Sequence, residues 1–155
     1  MVSIFGVASI MVVIVSIVVI ILHNRIMKRR APVDIMFDEL EELMRQRLEM
    51  MYEISVPGSE LHELCHYYID LDFDTVLSVY ADICEAYDNA EERYEVAPTA
   101  MDENWAGIRL STETLNKAIQ EYNAFITKSP SEMMMARVLG LKAAEPISMK
   151  GLSEI

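Results

Sequence analysis

From Val2 to Leu22 the chain carries no charge for 21 residues, and Val and Ile dominate the run. At about 1.5 Å of rise per residue, a helix of that length crosses a hydrocarbon core of roughly 30 Å. The stretch therefore predicts a transmembrane helix over residues 2–22, with the lipid bilayer as its surroundings. A buried soluble helix and a cleaved signal peptide are the alternatives. The latter wants positive charge before its apolar stretch and a small-x-small cleavage site behind it. Here His23, Asn24 and Arg25 follow instead, and then Lys28, Arg29 and Arg30.

Those four basic residues, Arg25, Lys28, Arg29 and Arg30, all lie behind the span, and none precedes it. The positive-inside bias then predicts an N-terminus facing out and the remaining chain in the cytoplasm. Each basic residue adds a pull of about 1 kcal/mol toward anionic headgroups, so the collar is expected to rest on the inner membrane surface. Residues 1–30 are accordingly read as an anchor with its collar.

Residues 31–155 hold all 25 acidic residues and nine of the 13 basic ones, a formal charge of −16. Nucleic acid is excluded as a partner of such a domain, because phosphate binding needs a basic footprint. So much acid reads either as a solvated surface kept soluble by self-repulsion or as a face for a basic partner. The two cysteines, Cys65 and Cys84, fit a reducing compartment. On one continuous helix they stand about 28 Å apart, too far to bridge, and read as core thiols unless they serve metal or redox chemistry.

Residues 59–70, SELHELCHYYID, contain the one motif with catalytic spacing. His62, Glu63, Leu64, Cys65 and His66 spell H-E-x-x-H, which on a helix sets two imidazoles on one face for zinc with Glu63 as the base. Pro57 and Gly58 break the chain ahead of it and Ser59 is a ready N-cap, so a helix is expected. A catalytic zinc needs a third protein ligand, for which Glu85, Glu91 and Glu92 are the nearest candidates, and usually a sheet beside the motif helix. No strand pattern occurs in the chain. The competing readings are a structural or adventitious zinc held by His62, Cys65 and His66, and an ordinary helix face.

The rest of the chain is helical in pattern. Phe37, Leu40, Met44, Leu48 and Met51 recur at helical spacing and predict an amphipathic helix over 34–54, after a kink or restart at Ala31 and Pro32. A second long helix is expected over 60–96, carrying Leu61, Leu64, Tyr68 and Leu71 and then Val76, Tyr80, Ile83, Tyr87 and Ala90, with a local irregularity in DLDFDT. A third runs over 102–127 through Ile108, Leu115, Ile119, Tyr122 and Ile126. Ser129, Pro130, Ser131 and Glu132 form a capping-box pattern that opens a short helix to about Leu141.

Residues 115–146, LNKAIQEYNAFITKSPSEMMMARVLGLKAAEP, resemble the C-terminal end of the LemA family. The matching positions are Asn116, Ala118, Ile119, Tyr122, Asn123, Ile126, Pro130, Ala136, Gly140 and Leu141. The first-helix motif of that family is similar to FDELEELMRQRLEMM, through Phe37, Leu40, Met44, Arg45, Arg47, Glu49, Met50 and Met51. HNRI behind the span resembles its juxtamembrane stretch. Leu115, Ser129 and Leu141 stand where the family often has Tyr, Phe and Phe. The resemblance covers about half of the domain and the anchor, and it accounts for His62 and Glu63 as inherited helix sequence.

The resemblance implies a bacterial single-pass membrane protein with a cytoplasmic helical domain and no catalytic activity. The expected architecture is all-α: a transmembrane helix followed by an antiparallel bundle of three long helices and a short one, LemA-like, over 31–145, with a flexible tail over 146–155. No enzyme activity and no cofactor are expected. The expected role is a scaffold or interaction module that holds an unidentified protein partner, or copies of itself, at the inner face. Tyr122, Asn123 and Arg137 are its candidate contacts unless they serve helix packing, and so are the methionines Met133 and Met134 of the last helix unless they cap the core. The alternative function is a zinc-dependent membrane-associated hydrolase built on His62, Glu63 and His66.

Overall fold

The computed structural model describes residues 4–90 and 98–147, with side chains over 6–90 and 100–147. Glu91 and Glu92, and residues 148–155 of the expected tail, lie outside them. The described chain is all helical, with no strand: α1 (Ile4–Ile54), α2 (Glu60–Tyr68), α3 (Phe73–Asn89), α4 (Pro98–Lys128) and α5 (Pro130–Val138).

Three of these boundaries depart from the sequence pattern. Of the kink or restart expected at Ala31 and Pro32, the restart does not occur, because α1 runs unbroken for 51 residues with Pro32 inside it. Proline in a helix interior costs about 3 kcal/mol, a penalty that the long apolar stretches on either side outweigh. The expected helix over 60–96 instead splits in two. Asp72 stops any continuation by capping α3: its carboxylate accepts from the Thr75 backbone N–H at 3.0 Å and from the Thr75 hydroxyl at 2.8 Å. Finally, Ser129 sits at the N-cap of α5, yet its side chain makes no capping bond. Its hydroxyl pairs with Ser131 Oγ at 3.0 Å, and Glu132 is engaged elsewhere.

Contacts divide the described residues into two compact units, the first made of residues 4–35 with Asn116–Pro146, the second of residues 36–90 and 98–115 with Ile147. In the first unit Ile26 and Val33 of α1, Ile119, Tyr122 and Ile126 of α4, and Met135 and Ala136 of α5 form the core. The helix ahead of them is different. Large apolar residues from Val7 to Ile21 stand 43–65% exposed, and α1 is long and apolar enough to cross a membrane.

Within this unit α5 ends in a Schellman turn. Leu141 N–H donates to the Ala136 carbonyl at 2.8 Å and Gly140 N–H to the Arg137 carbonyl at 3.1 Å. The turn requires a left-handed residue, and Gly140 supplies it at φ +67°.

The second unit buries Leu40, Met44, Leu48 and Met51 of α1 against Leu61 and Cys65 of α2, Phe73, Val76, Tyr80 and Ile83 of α3, and Met101, Ile108 and Leu115 of α4. Phe37 meets Phe73 edge-on at 5.3 Å. Here α1 and α4 are joined by polar contacts as well: Asn104 Nδ2 donates to the Leu43 carbonyl at 3.1 Å, and the buried Arg47 donates to the Met101 carbonyl at 3.1 Å. The Arg47 guanidinium also lies 4.6 Å from the Trp105 ring centre. Leu71, placed on an apolar face by the sequence pattern, lies in the α2–α3 break and is 37% exposed. Ile147, inside the expected flexible tail, is buried.

Candidate functional site

The H-E-x-x-H segment forms α2, as its sequence predicts, and Ser59 caps it by accepting from the His62 N–H at 3.2 Å. Leu61 and Cys65 point into the core, leaving His62 half-buried and Glu63 and His66 exposed. Both imidazoles lie on Tyr52, near the end of α1. His62 stacks on that ring at 4.4 Å and His66 at 5.8 Å, with interplanar angles of 24° and 25°.

The hydrogen bonds around His62 set its tautomer. Ser55 Oγ donates its single proton to the Tyr52 carbonyl at 2.8 Å. Its 2.9 Å contact with His62 Nδ1 is then made by an imidazole N–H that donates to Ser55. The ring is held between an aromatic face and a hydroxyl, the arrangement of a helix-packing histidine.

The alternative zinc set of His62, Cys65 and His66 is not supported by the geometry. Cys65 is buried in the core while His66 is exposed, and burial, aided by the nearby Cys84, pushes the thiol up to about 11. A thiol so reluctant to ionise is a poor metal ligand. Among the described residues no three His, Cys, Asp or Glu side chains stand close enough to hold one ion. The proximity of Cys84 is itself a correction. The α2–α3 break folds α3 back on α2, so the 28 Å separation expected for one continuous helix does not apply.

The second cluster lies directly behind the apolar run. Arg25, Lys28, Arg29 and Pro32 fall at i, i+3, i+4 and i+7 on one face of α1, and Ala118, Glu121 and Phe125 face them from α4. Together they line an open groove of about 440 Å³. Two guanidiniums share one ring: Arg25 lies 5.7 Å and Arg29 5.8 Å from the centre of Phe125. Arg25 also pairs with Glu132 of α5 at 3.5 Å. The hydroxyl of Ser131, bonded to the same carboxylate at 2.7 Å, holds the Glu132 carboxyl below its usual range, and the charges of Arg25 and Lys128 act in the same direction. Arg30, the fourth collar residue, turns to Asp34 at 3.4 Å.

Neither protein-family models, curated proteins nor solved structures match this chain.

The remaining candidates divide by role. Tyr122 is buried and its hydroxyl donates to the Lys142 carbonyl at 3.4 Å. Asn123 bonds to the backbone of Ala144, so both side chains fasten the segment behind α5. Arg137 is exposed, with a guanidinium nitrogen 3.9 Å from Met133 Sδ. The methionine run is parted by helix geometry: Met135 enters the core, whereas Met133 and Met134 remain 37% and 70% exposed.

Sequence reasoning missed Phe125 and the Arg47–Trp105 pair. The 3, 4 spacing of Ala118, Glu121 and Phe125 puts them on one face of α4, but nothing in that spacing names the cations that cover the ring.

Proposed function

We propose that this protein is a membrane-anchored, LemA-like helical-bundle protein, acting without catalysis as a scaffold or interaction module at the inner face of a bacterial membrane. One observation carries the reading. Along the single helix α1 Leu40, Met44, Leu48 and Met51 are buried by the fold, while the large apolar residues from Val7 to Ile21 are left bare. So large an exposed apolar surface needs a solvent other than water, and a bilayer is the solvent of matching thickness.

The details of the LemA-like motif support the same reading. Tyr122, Asn123 and Gly140 act as one structural lock behind α5, which accounts for that residue pattern without chemistry. The function then lies in what the domain holds, a protein partner or a second copy of the chain.

The test uses the full chain in cells. Membranes are extracted with alkaline carbonate, a reporter fused after Ile155 reads orientation, and crosslinking in intact membranes captures the neighbour. The chain is expected to stay in the pellet with the reporter inside and a discrete crosslinked species. Release by carbonate would end the anchor reading, and a reporter active only outside the cytoplasm would reverse the orientation.

A further inference from the structure

We propose that the groove formed by Arg25, Lys28, Arg29, Pro32, Ala118, Glu121 and Phe125 is a binding site for the headgroup of an anionic phospholipid. The proposal rests on the reading of α1 as a membrane span and goes beyond it, since an anchor needs only apolar length and a basic collar only net charge. Here the collar is built into a shaped cleft with an aromatic floor.

Position comes first. Arg25 follows the last residue of the apolar run by three positions and Arg29 by seven, which places them about 5–10 Å beyond the hydrocarbon edge along the helix. The headgroup layer is roughly 5–7 Å deep on each side of the bilayer. The groove therefore begins at the level of lipid phosphates with Arg25, and Lys28 and Arg29 stand at its aqueous edge, on a helix whose side chains tilt back toward its N-terminus and so toward the headgroups.

Charge comes second. Arg25 and Arg29 stand one turn apart, an arrangement in which like charges repel, and both are drawn to the Phe125 ring within the range of a cation–π contact. Among the described residues only Arg25 has a carboxylate partner in this cluster, and neither Lys28 nor Arg29 forms an ion pair. Glu121 contributes one negative charge to the lining against three positive ones. An anion seated between Arg29 and Lys28 would answer both cations and relieve the repulsion across Phe125. Guanidiniums meet phosphate oxygens through paired N–H donors, and lysine adds a point charge.

Shape comes third. About 440 Å³ is room for a phosphate and its attached polar group, and Pro32, Ala118 and Phe125 give the cleft apolar walls. A free phosphate would use the cations alone. A phospholipid uses the cations for its headgroup while its acyl chains lie along the bare apolar residues of α1.

The test uses the full chain in nanodiscs holding equal amounts of phosphatidylcholine and phosphatidylglycerol, with retained lipid counted by native mass spectrometry. Phosphatidylglycerol is expected to be retained in preference. Arg29→Gln and Lys28→Gln are each expected to lower that preference about fivefold, the equivalent of one interfacial charge, and the double variant to abolish it. Lys117→Gln, on α4 outside the groove, is the control and is expected to change nothing. Unchanged circular dichroism in every variant separates loss of the site from loss of fold.

The outcomes are distinguishable. A chain that enters the nanodiscs but shows no lipid preference overturns the headgroup site and leaves the span intact. A chain that enters no bilayer overturns the span and the site with it. If inorganic phosphate strips the retained lipid from the detergent-extracted chain at equal concentration, the groove reads bare phosphate, and the lipid assignment fails.

Discussion

Asn123 grips Ala144 on both sides of its backbone, donating from Nδ2 to the carbonyl at 2.8 Å and accepting the N–H at Oδ1 at 2.9 Å. The amide stands in for a peptide group and fixes the chain that leaves α5. This segment has no regular secondary structure of its own, so its order depends on that one side chain, on Tyr122 and on the Gly140 turn.

Asn123→Ala is therefore expected to destabilise the fold by about 2 kcal/mol, because it strands a half-buried donor and acceptor together. Urea unfolding of the detergent-solubilised chain measures the loss. Hydrogen exchange is expected to rise first at residues 141–146. If Asn123→Ala weakens a crosslinked partner with stability and exchange untouched, Asn123 is a contact residue instead.

Arg47→Lys is expected to cost about 1–2 kcal/mol despite keeping the charge, since an ammonium cannot both reach the Met101 carbonyl and lie flat on Trp105. Trp105 is the only tryptophan in the chain, so its emission reports the site directly. A shifted emission maximum with a lower urea midpoint is the expected result, and an unchanged spectrum would remove Arg47 from the ring.

Cys65 provides a labelling test. With its thiol pushed up to about 11 from an ordinary 9.0, its thiolate fraction at neutral pH falls about a hundredfold. Maleimide is expected to modify it readily only after unfolding, as peptide mass spectrometry reads. The sign of the pH effect follows. A raised folded value adds stability below the unfolded pKa, and that stability is lost as pH climbs through about 11.

Acid acts in the opposite direction at Asp72. Bonds donated by Thr75 hold its carboxyl below the usual range. The stability it contributes is present above the unfolded pKa and fades as pH falls through the depressed folded value. Between about pH 5 and pH 2, helicity in Asp72→Asn should fall less steeply than in the parent chain, because asparagine caps without titrating. Identical acid curves would show that this cap is not pH-sensitive.

The helical core was legible because its signal is local. Leu40, Met44, Leu48 and Met51, and Ile108, Leu115, Ile119, Tyr122 and Ile126, are buried as their spacing implies. The split between α2 and α3 was visible as poor helix formers, but its completeness depends on an aspartate whose side chain competes with the backbone. From that followed the mistaken distance between Cys65 and Cys84.

Chemistry was less legible than fold. H-E-x-x-H gives the correct face for two imidazoles, but what they face is Tyr52, which comes from another helix. The groove is hidden for the same reason, since its ring and its cations lie on different helices and are matched only by folding. The Ser129 capping box failed because Ser131 engages both of its members, pairing with the Ser129 hydroxyl and donating to the Glu132 carboxylate, while Arg25 from another helix adds an ion pair to Glu132.

Pro32 lacks an N–H, so the carbonyl of Lys28, four residues earlier in α1, loses its regular i→i−4 donor. In hydrocarbon a bare carbonyl is costly unless a neighbouring group answers it, and the large apolar residues from Val7 to Ile21 are exposed. Among aqueous headgroups the same carbonyl is cheap, because water or a lipid hydroxyl meets it. On the proposed reading of α1 as a membrane span, position 32 is a depth gauge cut into the helix, marking a level that the bilayer interior would not reach.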